Sequence, residues 1–589
     1  MTSQMPPRFQ AGDAFFDQAL YDCYRKINYP EAWLAEGRSY DPADAYVISH
    51  PSWFFEEVPE IPEISIYDLF AHTVARRPED TAVIFLDKPV TYRQLNDLVC
   101  RYAALLKDLG VGKGDVVAAM LPNSLQHIVA FYGATMIGAV HSPINVMYQS
   151  DEVAYQVKDS GASVILILDL LFDRVRPLVE NNTVREVIVT NIKDWAAGDA
   201  VVPEALRMFW DIPKNPVAGT HDLFESLENY TPLTAAEPVE PETETALLLY
   251  TAGTTGKSKG VIETHYNLVF NSLTHTHAFR AWGDHEVNFS IMPMFHTAGY
   301  FLHLLPTLYQ GGTVIPVPMF DLADAFRVIE TYKVNVIFAP PTFFIAMMSN
   351  PDLINAHDLS SLSVTIGCGA PVPEAVQKSW KQTTGVNLVN GWGMTETNSG
   401  GIISIPGIKE KTDSIGIPVY SEVKITDEKN RVVRRNTEGE ICYRGLQVAR
   451  GYLNKPEETA DKFLPDGWFR TGDRGFVDDE DFVHFVDRIK DLIVASGYNV
   501  APVEVEDTIY QHPAVAEVAV VGQPDSYRGE TVKAVIAPKP EYKDHVTEQE
   551  IIDFCKSRLA AFKVPRHVEF RETLPKNAVG KILRRMLRN

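Results

Sequence analysis

Short apolar runs recur along the chain, separated by stretches with helical spacing. Examples are Val116–Met120, Val164–Leu168, Glu186–Val189, Thr313–Val317, Val336–Ala339 and Ser363–Ile366. Runs this short and this apolar predict strands buried on both faces, and the helices between them predict parallel sheets. After Val423 the pattern changes. Alternating strands through Glu440–Tyr443 and turns such as Pro465-Asp466-Gly467 predict a β-rich, barrel-like subdomain. Strand-like Val515–Val521 and Val532–Ala537, followed by a helix over Glu548–Ala561, predict a small α+β domain at the end. Residues 1–60 are rich in aromatics and are expected to wrap the main domain. The Pro- and Glu-rich stretch Glu237–Glu244 reads as a connector. The expected class is therefore α/β, with two parallel-type α/β subdomains and a β-rich subdomain in a large N-terminal domain, and a small α+β domain after it.

Composition narrows the class without changing it. The 589 residues are 45% hydrophobic and 22% charged, ordinary for a globular enzyme. A net charge of −23 argues against nucleic acid or an anionic membrane as main partner, but not against a phosphorylated small molecule held by local Lys and Arg. The five Cys are odd in number and lack metal-ligand spacing, which predicts free thiols in a reducing, cytoplasmic setting. Residues 1–20 carry no signal pattern, and no apolar run reaches the roughly 18 residues needed to span a bilayer. The longest, Ile128–Val140, reads as a buried α/β segment. Transient membrane contact stays open, as does the choice between monomer and homodimer.

Candidate chemistry concentrates in Thr251–Gly260, Thr-Ala-Gly-Thr-Thr-Gly-Lys-Ser-Lys-Gly. It follows an apolar strand, Ala246–Tyr250, and precedes Val261–Phe279, which reads as a helix. Backbone N–H groups in such a loop converge on an anion, and Gly permits close approach. Gly256-Lys257-Ser258 has the ending of a P-loop, but the spacing fails: the required first Gly falls at Thr251.

Further segments follow in order: Met294-Phe295-His296-Thr297, Asn390–Thr397, Trp468–Asp473, Asp487–Asp491 and Pro575–Lys581. Together with the loop, their order and spacing resemble the core motifs of the adenylate-forming enzymes, from about Ile64 to the end of the chain. Among the subfamilies, the chain is most similar to bacterial long-chain fatty-acid–CoA ligases. Val116–Asn123, Asp159–Ala162, Gly451–Thr459 and Val494–Val500 support this. The resemblance implies an acid–thiol ligase that converts a carboxylic acid, ATP and CoA through an acyl-adenylate, most naturally with a medium- to long-chain fatty acid. An aryl acid, or delivery of the acyl group to a carrier protein, is the alternative. A non-catalytic nucleotide-binding protein is the distant one.

By the same resemblance, Thr251, Gly253, Thr254, Thr255, Gly256, Lys257 and Lys259 hold the β- and γ-phosphates. Thr395 meets the α-phosphate and Glu396 ligates Mg²⁺. Gly369, Ala370, Pro371, Asn390, Gly391, Trp392 and Gly393 flank the adenine. Asp473 and Arg488 hold the ribose, and Lys581 bridges carboxylate and phosphate. His296 gates the acyl pocket, a role Tyr300 can share. Ser496, Gly497 and Tyr498 guide CoA once a mobile C-terminal domain, 488–589, has rotated against residues 1–487 about a hinge at Lys490. Relatives often carry Tyr at Trp392 and Pro at Ser258; neither departure removes a charge or a metal ligand.

Several residues keep a second reading. Cys368, within Gly367–Pro371, reads as a packing residue rather than a nucleophile. The basic end, with Lys576, Arg584, Arg585 and Arg588, is either a solvated tail or a cationic edge near phosphates. Ala298, Gly299, Gly367 and Gly369 are expected to leave room for a long acyl chain.

Overall fold

The computed structural model describes residues 47–49, 61–251, 258–279, 285–405, 410–495, 498–525, 529–543, 545–578 and 580–588. The expected wrapping by residues 1–60 thus falls almost wholly outside the described residues, as do Gly253, Thr254, Thr255, Gly256, Lys257, Ser496 and Gly497.

Among the described residues the strands form four sheets. The first runs Lys259–Thr264, Thr245–Thr251, Val140–Pro143, Val116–Met120, Val164–Leu168, Glu186–Thr190, His221–Asp222. Its neighbours are parallel except at one edge, where Thr245–Thr251 meets Lys259–Thr264 antiparallel. The second has nine strands, with Leu388–Trp392, Val364–Gly367, Val336–Ala339, Val287–Ser290, Thr313–Pro316 and Thr81–Phe85 parallel at its centre. Side chains alternate across each strand, so each sheet feeds two cores. Val117, Ala119, Leu166, Val336, Phe338 and Ile366 face one shared core between the two sheets. Ala118, Ile165 and Ile167 face out to a second core, and Ile337 and Ala339 to a third.

Helices fill the shared core. Leu125–Met136 is buried along its whole length, which explains why Ile128–Val140 reads as an unbroken apolar run. Ser124 accepts from the His127 N–H and fixes its start. No helix among the described residues is long and apolar enough to cross a membrane.

The β-rich subdomain is an open sheet, Val47–Ser49, Glu422–Thr426, Gly439–Arg444, Phe469–Val477, Val483–Arg488; its edge strands do not pair to close a barrel. The C-terminal sheet pairs Val515–Asp525 with Gly529–Pro538, and His567–Phe570 joins it in parallel. Its helix spans Glu548–Lys556, shorter than the expected Glu548–Ala561.

One element differs in kind. Val261–Phe279 is not one helix: Lys259–Thr264 is a strand, and the helix spans His265–Phe279. The Gly-rich loop therefore joins two antiparallel strands. The helix begins where it does because Thr264 Oγ1 accepts from the Asn267 N–H at 3.2 Å, while Asn267 Oδ1 accepts from the Thr264 N–H at 3.0 Å. This reciprocal cap satisfies donors that a longer helix would have bonded internally.

Candidate active site

The loop after Thr251 returns at Lys259, which the antiparallel register sets directly opposite Thr251. The Lys259 ammonium pairs with Glu458 and lies 5.0 Å from the centre of the Tyr452 ring. The Tyr452 hydroxyl donates to Glu396 Oε1 at 2.7 Å. Lys259 and Glu396, 137 residues apart by their numbers, therefore border one tyrosine. Glu396 and Thr395 lie in a short 3₁₀ turn, Thr395–Thr397, which Gly393 and Met394 join to the strand Leu388–Trp392. Tyr452 is the residue that sequence reasoning passed over. Its stretch, Gly451–Thr459, points to the family, but nothing local marks its hydroxyl as the partner of a distant carboxylate.

The second cluster surrounds Asp473. This carboxylate is 4% exposed and accepts from the Trp392 indole N–H at 2.9 Å. Across the strand pair it faces Arg488, whose Nε lies 3.6 Å from Oδ1. Burial raises the Asp473 pKa; the Arg488 charge, the indole bond and Lys581 oppose that rise. Trp392 thus does what a tyrosine also can, donating a hydrogen bond to the buried acid.

Lys581 arrives from the far end of the chain. The turn that carries it closes with Asn577 N–H to Lys581 C=O at 2.9 Å and Lys581 N–H to Asn577 Oδ1 at 2.9 Å. Gly580 has φ of +75° and rests against the large domain: a Cβ there would lie 3.1 Å from Pro340 Cγ and Thr342 Oγ1. Burial pulls the Lys581 amine down to about 8, and Arg488 adds to this while Asp473 resists it. The same amine is felt by His296, which burial takes down to about 4. His296 is therefore neutral near pH 7. Its Nδ1 accepts from the Ala298 N–H at 3.2 Å, which assigns the ring proton to Nε2.

His296 borders a cavity enclosing about 740 Å³ between atoms, part of it open to solvent. Ala298, Phe338, Ile366, Cys368, Gly369 and Gly391 also line it. Cys368 is 7% exposed and burial pushes its thiol up to about 12, so it packs and does not react. Two of the small residues expected to make room do something else. A Cβ on Gly299 would meet the Pro293 carbonyl oxygen at 2.4 Å, and one on Gly367 would meet Val372 at 1.9 Å. Gly299 is small so that backbone can pack and Gly367 so that the Val372 side chain can, whereas Ala298 and Gly369 do border the cavity. Tyr300 is fully buried and bonds His127 through its hydroxyl at 2.9 Å; it does not line the cavity with His296.

The remaining residues divide between cleft and scaffold. Trp392 and Gly393 border the cavity too, and a Cβ on Gly393 would meet the Ser399 carbonyl carbon at 2.4 Å. Asn390 is a brace: it accepts from the Val372 N–H at 2.9 Å and donates to the Ser414 carbonyl at 3.1 Å, fixing the turn that holds Gly369, Ala370 and Pro371. Lys490 is exposed and follows the strand Val483–Arg488. Tyr498 opens the strand Tyr498–Val500, paired with Ile493–Ala495. Three of the tail's basic residues are paired within the chain: Arg584 with Asp487 at 3.1 Å and Glu506 at 2.6 Å, Arg588 with Asp491 at 3.2 Å, and Lys576 with Glu517.

Comparison with known proteins places this arrangement. Residues 70–453 match the family described as AMP-binding enzyme, and residues 504–581 match the AMP-binding enzyme C-terminal domain. A long-chain-fatty-acid–CoA ligase of Bacillus subtilis (strain 168) is 36% identical over 92% of this chain and 97% of its own length. A ligase of the same description from Escherichia coli O157:H7 is 35% identical over 89% and 94%. Among solved structures, the anthranilate CoA ligase AuaEII in complex with anthranoyl-AMP is similar with a TM-score of 0.81 and 27% identity, covering 90% of this chain and 97% of that one.

Proposed function

This chain belongs to the AMP-binding enzyme family and is an AMP-forming acid–thiol ligase that takes ATP and CoA as substrates; from that premise we propose that its acid is a medium- to long-chain fatty acid and that the residues gathered above divide the two half-reactions between them. Long-chain-fatty-acid–CoA ligases are 35% and 36% identical to this chain over most of its length, and the cavity beside His296 is lined largely by apolar groups. An aryl acid is the second reading, favoured by the fold's similarity to an anthranilate ligase.

Joining a carboxylate to the α-phosphate of ATP brings two anions together, so cations and dipoles must be in place beforehand. Lys581 carries that role in our reading. The observation behind it is that a turn near the C-terminus sets this amine within electrostatic reach of Asp473, Arg488 and His296. Asp473 and Arg488 hold the ribose, and Thr395 meets the α-phosphate. Trp392 and Gly369–Pro371 flank the adenine, with Asn390, Gly391 and Gly393 shaping that wall. Thr251, Gly253–Lys257 and Lys259 take the outer phosphates. Glu396, with one oxygen on the Tyr452 hydroxyl, has the carboxylate chemistry that suits Mg²⁺, which uses few protein oxygens alongside substrate phosphates. Bound there, Mg²⁺ would offset phosphate charge.

The second half-reaction needs a thiol path where Lys581 now sits. We assign residues 1–487 and 488–589 to two domains that rotate about Lys490. The five-stranded sheet ends at Arg488 and the C-terminal sheet begins at Ile493, so few residues need to change conformation. Rotation would break the Arg584–Asp487 pair, withdraw Lys581, and bring Ser496–Tyr498 to the cleft for CoA. A panel of fatty and aryl acids assayed for ATP- and CoA-dependent AMP release tests the substrate assignment; benzoate or anthranilate as best acid would replace it.

A further inference from the structure

The cavity beside His296 does not mark the end of its groove. A second cavity, about 420 Å³ between atoms and part of it open to solvent near His285, lies beyond it, bordered by Thr276, Glu286, Gln310, Val336 and Val364. Two residues, His275 and Phe338, border both cavities.

Register explains the arrangement. Val336 pairs with Val364, and Phe338 with Ile366, on adjacent parallel strands. All four face the same side of the sheet, because residues two apart share a face. The Val336–Val364 pair borders the second cavity and the Phe338–Ile366 pair the first. On the facing helix, Thr274 borders the first cavity, Thr276 the second, and His275 both. The two cavities therefore lie in series along one groove, stepped by about 6.6 Å, the rise of two strand residues. The Phe338 ring stands across that groove. Its centre is 5.7 Å from that of His275 and 5.7 Å from that of His303, and it is only 2% exposed.

We propose that Phe338, flanked by His275 and His303, is the floor of the acyl pocket and sets the longest acid the enzyme accepts, with the second cavity as further space beyond the ring that only a longer chain would reach. This rests on the fatty-acid reading above. The second cavity is also polar at its far side, where Glu286 accepts from Asn288 and Thr307 at 2.6 Å each. With the ring gone, a long enough chain would gain first from the apolar volume the ring vacates and from the Val336 and Val364 side of the second cavity.

The test is kcat/KM across a homologous series of saturated acids. Wild type should gain about fourfold per added methylene up to a limit and nothing beyond it. Phe338→Ala should carry the gain past that limit, and Phe338→Trp should move the limit to shorter acids. Val364→Phe, which fills the second cavity, should leave the wild-type profile unchanged but cancel the extension in Phe338→Ala. Thermal melting verifies that each variant is folded, and Phe338→Trp keeps the test alive if the alanine variant is not. A wild-type limit that neither Phe338 variant moves overturns the proposal and leaves the fatty-acid reading standing. A wild type that turns over aryl acids and no fatty acid overturns both.

Discussion

On one side of the cleft, side chains from distant stretches meet through directional bonds. Trp392 donates to Asp473, Asp473 faces Arg488 across a strand pair, Tyr452 donates to Glu396, and the Lys581 charge acts on Asp473. On the other side, Ala298, Phe338 and Ile366 border a cavity by shape alone. In our proposal the difference follows from what each side recognises. A nucleotide has fixed charges and hydroxyls, and a buried polar group that loses its partner costs about 1–3 kcal/mol, so few residue types fit. An alkyl chain asks only for apolar volume, which many side chains supply and which relatives can repartition.

The sharpest way to break this contrast is at Lys581. Lys581→Ala should lower pyrophosphate release about 100- to 1,000-fold, the usual effect of removing one preorganised charge stabiliser, read in an assay lacking CoA. Glu396→Gln should follow, with a loss of about 100-fold and a Mg²⁺ titration midpoint displaced to higher concentration; an unmoved midpoint would remove Glu396 from the metal. The pH profile comes next. With its amine lowered to about 8, Lys581 is charged below that pH and neutral above it. Adenylation kcat/KM should therefore fall about tenfold per unit above pH 8, and Lys581→Arg should abolish that alkaline limb because a guanidinium stays charged. Trp392→Phe is the mildest change. It leaves the raised, buried Asp473 without its indole donor, and KM for ATP should rise about tenfold with kcat nearly kept.

How much of this was legible in the sequence follows the same contrast. The six parallel strands predicted from apolar runs are present, with ends shifted by a residue at most, because strands buried on both faces leave an uninterrupted signature. The sequence singles out Glu396, Asp473 and Lys581 because each sits in a short contiguous pattern; the roles given to them are our proposal. The helix start at His265 was missed although Thr264 and Asn267 form a cap, because apolar Val261 and Ile262 fit either a strand or a helix turn. Tyr452 and Phe338 left no local signal: each matters only through a partner folded against it from elsewhere in the chain. The helical spacing of Asn271, Thr274, His275 and Ala278 was a usable sign, since all four line the first cavity from one helix face. Gly299 and Gly367 show the opposite error, where small size meant close packing, against backbone at Gly299 and against the Val372 side chain at Gly367, and not an open pocket.

The central claim is that one amine serves one half-reaction and is absent from the other. Lys581→Ala should be supplied with preformed acyl-AMP and CoA, and thioester formation followed beside pyrophosphate release from ATP and acid. The account predicts that the thioester step stays within a few-fold of wild type while adenylation collapses. Equal loss in both steps would contradict it, and would return Lys581 to a residue that merely holds the C-terminal turn against the large domain.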